Sequence, residues 1–172
     1  VNDTPIAIDI NVSVDEDSSV DITLSAIDFE KDDLTYSLVT QASNGTLALN
    51  GSVVTYTPNS DYNGSDSFTY KVNDGEFDSN PATVTITVNA VNDAPTAADV
   101  SASVDEDSSV DVTLVGSDVD QDDLTYSLVD NPSNGTVSID GDKVTYTPNS
   151  DYNGSDSFTS VSYTHLRAHE TP

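Results

Sequence analysis

Carboxylates dominate the residues that could do chemistry. Asp28-Phe29-Glu30-Lys31-Asp32-Asp33 and Asp118-Val119-Asp120-Gln121-Asp122-Asp123 place acidic side chains at alternate positions. Alternate side chains in an extended or looped segment point to one side, so each run presents several oxygens together. Oxygen-only ligands suit a hard cation, and Ca²⁺ takes about 6–8 of them. Neither run is an EF-hand loop, because that motif's glycine position falls on Asp123 and its terminal glutamate on Val129. The alternative is a solvated loop that keeps the chain soluble, and it is the preferred reading for Asp122 and Asp123. Further carboxylates stand in Asp15-Glu16-Asp17 and at Asp61 and Asp66, on either side of Tyr62-Asn63-Gly64-Ser65. The plain alternatives there are a turn residue at Asp61, a simple turn at Asn63-Gly64 and packing for Tyr62.

Other chemistries lack their residues. Both histidines and the single arginine lie beyond residue 160, and there is no cysteine. Nucleophile–base arrangements therefore lose their usual base. A carboxylate pair could do acid–base work, yet nothing singles one pair out, and no enzyme activity is expected. Acidic residues number 31 against four basic ones, for a formal net charge of −27. That sign repels nucleic acid and anionic membrane surfaces, and makes cations the natural partners. Without cysteine there are no disulfides and no thiolate metal sites. No apolar run approaches membrane-spanning length. Val1 opens inside a repeat motif with no signal-peptide pattern, so the sequence reads as part of something longer.

The elements that must position these carboxylates are repeated. Residues 1–70 align without a gap on 91–160, with about two-thirds of the pairs identical. A period of this length is one small domain per repeat, not a solenoid turn. Within a repeat the apolar pattern has period two: Val20, Ile22 and Leu24; Leu34, Tyr36 and Leu38; Phe68, Tyr70 and Val72; Ala82, Val84, Ile86 and Val88. Thr, Ser and Asp alternate with them, the pattern of half-buried antiparallel sheet. Asn50-Gly51 and Asp140-Gly141 are hairpin-turn pairs, both positions favouring positive φ. Seven strands are predicted, at about 6–14, 19–26, 34–39, 45–49, 53–57, 66–73 and 82–89. That number in one repeat predicts an all-β chain of tandem Greek-key β-sandwiches.

The expected domains are a first sandwich at 1–89, a linker at 90–95 and a second, incomplete sandwich at 96–160 whose last strand is missing. After Thr159 the sequence departs from the first repeat, and 161–172 resembles a translated sequencing adapter. With alternating strands, the loops carrying Glu16, Asp61 and Asp66 are expected at the end by which the first repeat is left. The loop carrying Asp118 is expected at the end by which the second begins. Glu16, Asp61 or Asp66, Asn92, Asp93, Asp118 and Asp120 would then converge at the linker, with backbone carbonyls, on at least one Ca²⁺.

Three further motifs complete a resemblance: Val91-Asn92-Asp93-Ala94-Pro95 at the boundary, Leu124-Thr125-Tyr126-Ser127-Leu128 after Asp118-Val119-Asp120, and Phe68-Thr69-Tyr70-Lys71-Val72-Asn73-Asp74-Gly75. Over 1–160 the chain resembles the cadherin-like, Ig-like tandem repeats of large bacterial surface adhesins. In cadherins the matching glutamate, linker Asn-Asp and Asp-x-Asp hold calcium between domains. The resemblance implies that role for Glu16, Asn92, Asp93, Asp118 and Asp120. It implies the same for Asn2, Asp3, Asp28, Glu30 and Asp74 at a preceding junction. The linker is shorter than the cadherin form and lacks its second asparagine, and Glu30 stands where the second repeat has Asp120. The expectation is a calcium-stiffened extender of an exported, cell-surface bacterial adhesin. Its partners would be neighbouring repeats, and it would make no membrane insertion. The alternative is repeats that themselves bind a homophilic partner or a glycan.

Overall fold

The computed structural model describes residues 2–164, and the chain forms two compact units, Val1–Val91 and Asn92–Pro172. Every regular element among the described residues is a β-strand. The first unit contains β1 (Ile6–Ala7), β2 (Ile10–Asp15), β3 (Val20–Thr23), β4 (Ala26–Ile27), β5 (Thr35–Thr40), β6 (Gly45–Asn50), β7 (Val53–Pro58), β8 (Gly64–Asn73) and β9 (Ala82–Asn89). One sheet runs β2-β9-β8-β5 and the other β3-β7-β6, with β1 paired to β4. The chain crosses between the two sheets from β2 to β3, from β5 to β6 and from β7 to β8, and their inward faces meet. Val54, Tyr56, Phe68, Tyr70, Val72, Val84 and Ile86 are fully buried between them. β9 buries every second residue, and each Val or Ile so removed from water contributes about 1.5–3 kcal/mol.

Two features differ from the sequence reading. The first two predicted strands are each broken, because the chain changes partner. Ile6 pairs with Ile27, but from Ile10 onward the strand pairs with β9, in parallel rather than antiparallel sense. The break is pinned by the Tyr70 hydroxyl, which lies 2.6 Å from the carbonyls of Ile8 and Ser25. Asp9 beside it accepts the Thr83 amide at 2.7 Å. The hairpin turns also sit one residue later than predicted. Asn50 pairs with Val53, which leaves Gly51-Ser52 as the loop. Gly51 takes φ +61, and neither Asn50 nor Ser52 is among the positive-φ residues. Only one position therefore needs glycine's freedom.

The second unit contains β10 (Thr96–Ala98), β11 (Val110–Thr113), β12 (Val115–Ser117), β13 (Leu124–Asp130), β14 (Gly135–Asp140), β15 (Lys143–Pro148) and β16 (Thr159–Thr164). Its ladders are β10-β12, β11-β15-β14 and β13-β16. No described segment takes the place β9 holds in the first unit. Residues 100–105 and 154–158, whose counterparts flank β9, form no strand. Strands in this position need a partner, since a buried unpaired backbone group is costly.

β16 keeps the register of β8: Tyr126 faces Ser162 as Tyr36 faces Val72. The Thr159 hydroxyl sets it, bonded at 2.7 Å to Asp130. The changed sequence is out of phase with that register. Ser162 is buried at 7% exposure, while Val161 and Tyr163 face outward at 43% and 39%. The adapter-like stretch thus joins the sheet as far as Thr164, and its remainder lies outside the described residues.

Candidate cation-binding carboxylates

In the first unit the β1–β4 ladder and the Thr35–Asn73 pair bring three segments to one end: residues 2–5, 28–34 and 74–78. Asp28 Oδ2 accepts the Asp32 amide at 2.8 Å and so shapes its loop, in which Lys31 takes φ +65. Asp28 Oδ1 is buried and has no hydrogen-bond partner. Asn2 repeats this arrangement. Its Nδ2 donates to Asp74 at 3.1 Å, while its Oδ1 is buried and unpartnered. Asp74 accepts the Glu76 and Phe77 amides at 2.8 and 2.7 Å, and these bonds hold its carboxyl below the usual range. Asp3 and Glu30 are exposed. Phe29 and Phe77 stand in the same loops at 70% and 41% exposure.

The second unit builds the same end. Thr96 pairs with Ser117, which sets residues 92–95 beside the loop 118–123. Asp118 Oδ1 accepts the Asp122 amide at 3.2 Å, and Oδ2 is buried without a partner. Asp120 accepts the Asp93 amide at 2.7 Å, and the Asn92 side chain donates to the Asp93 carbonyl. Gln121 takes φ +61, close to the +65 of Lys31 at the matching position. Both loops thus turn one carboxylate oxygen to the backbone and leave the other unused. A buried polar atom without a partner costs about 1–3 kcal/mol, and a bound cation would remove that cost.

At the opposite end of the first unit Glu16 is 3% exposed. It accepts the Val91 amide at 2.6 Å and the Asn63 side chain at 3.3 Å, which anchors the chain as it leaves β9. Asp61 donates its amide to Asp17, and the two side chains carry carboxylate oxygens within 4.8 Å of each other. Asp17 was not singled out in the sequence. Both residues have positive φ, as do Asp107 and Asp151 at the matching positions.

Asp66 has a different job from the one expected. It is buried and accepts the amides of Ser43, Asn44 and Ser67 and the Tyr56 hydroxyl, at 2.8–3.0 Å. Burial pushes its carboxyl up, but these four bonds outweigh it and the net shift is downward. Its oxygens are used within the fold, so it leaves the candidate ligand set. Asp156 repeats the arrangement with Ser133, Asn134, Ser157 and Tyr146. Parity carried the signal: Asp66 has the phase of Phe68, Tyr70 and Val72, the inward face of β8.

Two layered sheets of alternating strands, repeated along one chain, define a tandem Ig-like β-sandwich protein whose repeats present acidic loops at their ends. The chain belongs to the bacterial Ig domain family, whose model matches residues 2–87 and again 92–164. No curated protein sequence matches it. Among solved structures, protocadherin gamma B2 cadherin domains 3–6 align over 93% of the chain at 12% identity and TM-score 0.53, which shows a shared fold. An endo-fucoidan hydrolase of glycoside hydrolase family 107 aligns at 21% identity over 95% of the chain, with TM-score 0.45. The Yersinia pseudotuberculosis adhesin InvE aligns at 15% identity over 92% of the chain and 58% of its own, with TM-score 0.34. The chain spans 27% of the hydrolase's length and 46% of the protocadherin's.

Proposed function

We propose that these repeats are calcium-stiffened extenders of an exported bacterial adhesin, working outside the cell. The observation that carries the reading is the unpartnered buried oxygen repeated at matching positions, Asp28 in one repeat and Asp118 in the next. Ca²⁺ at the second repeat would be held by Asn92, Asp93, Asp118 and Asp120. At the first it would be held by Asn2, Asp3, Asp28, Glu30 and Asp74. All of these offer oxygen, the donor a hard cation takes. The ion would screen carboxylates in a chain of net charge −27. It would also pin residues 92–95 to the loop 118–123, stiffening the stretch through which one repeat continues into the next. Glu16 contributes by holding the Val91 amide.

Extracellular modules bind Ca²⁺ at about 10⁻⁴–10⁻³ M, so tenfold excess would add roughly 1.4 kcal/mol per site. The test is thermal unfolding of the whole chain in millimolar Ca²⁺ and in EDTA at matched ionic strength. Ca²⁺ is expected to raise the midpoint, and Asp28→Asn with Asp118→Asn to remove most of the rise. Equal midpoints with and without Ca²⁺ would sink the reading. Adhesion by the repeats themselves, to a second molecule or a glycan, is the competing reading. The exposed rings of Phe29 and Phe77 are what favours it.

A further inference from the structure

An asparagine followed by glycine can modify itself, because glycine has no side chain to shield its amide from the neighbouring carboxamide. The chain holds five such pairs, beginning at Asn44, Asn50, Asn63, Asn134 and Asn153. The fold treats them unequally. Asn44 donates its amide to Asp66 at 2.9 Å, and its carbonyl accepts the Asn59 amide at 2.8 Å. Asn134 is held in the same way by Asp156 and Asn149. The glycines after these two are packed shut, since a Cβ on Gly45 or Gly135 would lie 2.5 Å from the ring of Tyr56 or Tyr146. The Tyr62 and Tyr152 hydroxyls cover Gly64 and Gly154, at 3.2 and 2.8 Å from the corresponding point. Glu16 also engages the Asn63 side chain. Asn50–Gly51 is open by comparison. Gly51 has nothing within 4 Å of where a Cβ would stand. Asn50 is exposed and ends β6, where a ladder opens most cheaply. Among the described residues nothing bonds its side chain or the Gly51 amide. The turn is tethered one residue further on, where the Leu24 amide donates to the Ser52 carbonyl at 2.8 Å.

We propose that Asn50–Gly51 is a self-modification site, at which the folded first repeat converts its asparagine to aspartate and isoaspartate and loosens the β6–β7 hairpin. The Gly51 nitrogen, losing its proton, bonds to Asn50 Cγ. The Cγ–Nδ2 bond breaks and ammonia leaves, closing a cyclic imide. Water then opens the ring at one of its two carbonyls. Opening at Cγ gives aspartate. Opening at the main-chain carbonyl of residue 50 gives isoaspartate, whose main chain runs through Cβ and Cγ. Either product adds a negative charge to a chain already at −27. The second repeat shows what that charge needs. It carries Asp140 at the matching position, and Asp140 faces Lys143 across the ladder. Asn50 faces Val53 instead, so a carboxylate formed there meets no opposite charge. Isoaspartate also lengthens the main chain at the closing pair of the hairpin, whose register is set by the length of its turn. The change needs no enzyme, only water and time.

The test is peptide mapping by mass spectrometry after the whole chain has been held in warm, mildly alkaline buffer, once folded and once in urea. In urea the five pairs should convert at similar rates. In the folded chain Asn50 should stay close to its urea rate, while Asn44 and Asn134 slow by at least about tenfold. Its products should include isoaspartate. The proposal is overturned if Asn50 slows as much as Asn44, or if another pair converts first in the folded chain. Amide exchange reads the consequence. Asn50→Asp should speed exchange across β6 and β7, and Val53→Lys in the same chain, supplying the charge that Lys143 provides in the second repeat, should restore it. Equal exchange in Asn50→Asp and the original chain, or no rescue by Val53→Lys, overturns the loosening.

Discussion

Asp66 and Asp118 are the same residue type in opposite situations. Asp66 is satisfied by four donors inside the fold, and Asp118 keeps one oxygen buried and unused. Asp66 predicts an acid limit. A carboxyl lowered by folding contributes stability that is present above its unfolded value, near 3.9, and is lost as pH falls through the lower folded value. The first repeat should therefore hold through mild acid and lose stability below about pH 4. Asp66→Asn should flatten that part of the curve while lowering stability at neutral pH, as urea unfolding across pH would read. An unchanged acid limb would remove Asp66 from the account. At this scale the sequence was only half legible. Residue type and spacing singled out Asp28, Asp118 and Asp120 as candidates, alongside Asp66. They could not separate a ligand from an anchor, because that depends on which face a strand turns inward. Asp66 had the parity of the core all along, and its charge drew the reading toward the surface.

Elements were more legible, because alternation marks both where a strand runs and which face it buries. β5 to β9 follow the Tyr36–Leu38, Leu47–Leu49, Val54–Tyr56, Phe68–Val72 and Ala82–Val88 alternations closely. The change of partner at Ile8 and Asp9 was not legible, since Ile6, Ile8, Ile10 and Val12 alternate straight through it. It is fixed from outside the strand, by Tyr70 and Thr83. β16 shows the converse, a register held by Thr159 against its own pattern. Ser162 stands where Val72 packs in the first repeat. Ser162→Val should stabilise the second unit by about 1 kcal/mol, part of the value of burying a valine. The gain would be read as slower amide exchange across β13 and β16. No gain would mean that the inner face there is too open for the added methyls to pack.

For the whole molecule, the two repeats share most of their sequence and differ sharply in core. The first buries Tyr56, Phe68 and Tyr70 completely, while among the described residues of the second the buried apolar side chains are Leu114, Pro132 and Val144. Calorimetry should therefore show two transitions, with the second unit melting first. Added NaCl should raise both midpoints, because a chain at −27 repels itself and salt screens that repulsion. One cooperative transition would contradict this. The tandem arrangement was readable from the gapless repeat alone. The inequality of the two copies was legible too, in the departure from the first repeat after Thr159, which leaves the second without a counterpart of β9 among the described residues.

The parallel pairing of β2 with β9 has a mechanical consequence. These six-residue partners, Ile10–Asp15 and Val84–Asn89, lie close to the beginning and the end of one repeat. Tension along the chain pulls β2 toward its N-terminus and β9 toward its C-terminus, which for parallel partners are opposite directions. The ladder is then loaded in shear. Its hydrogen bonds share the force and must yield nearly together, whereas a hairpin pulled from its open ends peels apart one bond at a time. A repeat wired this way is suited to bearing load between whatever is attached at its two ends.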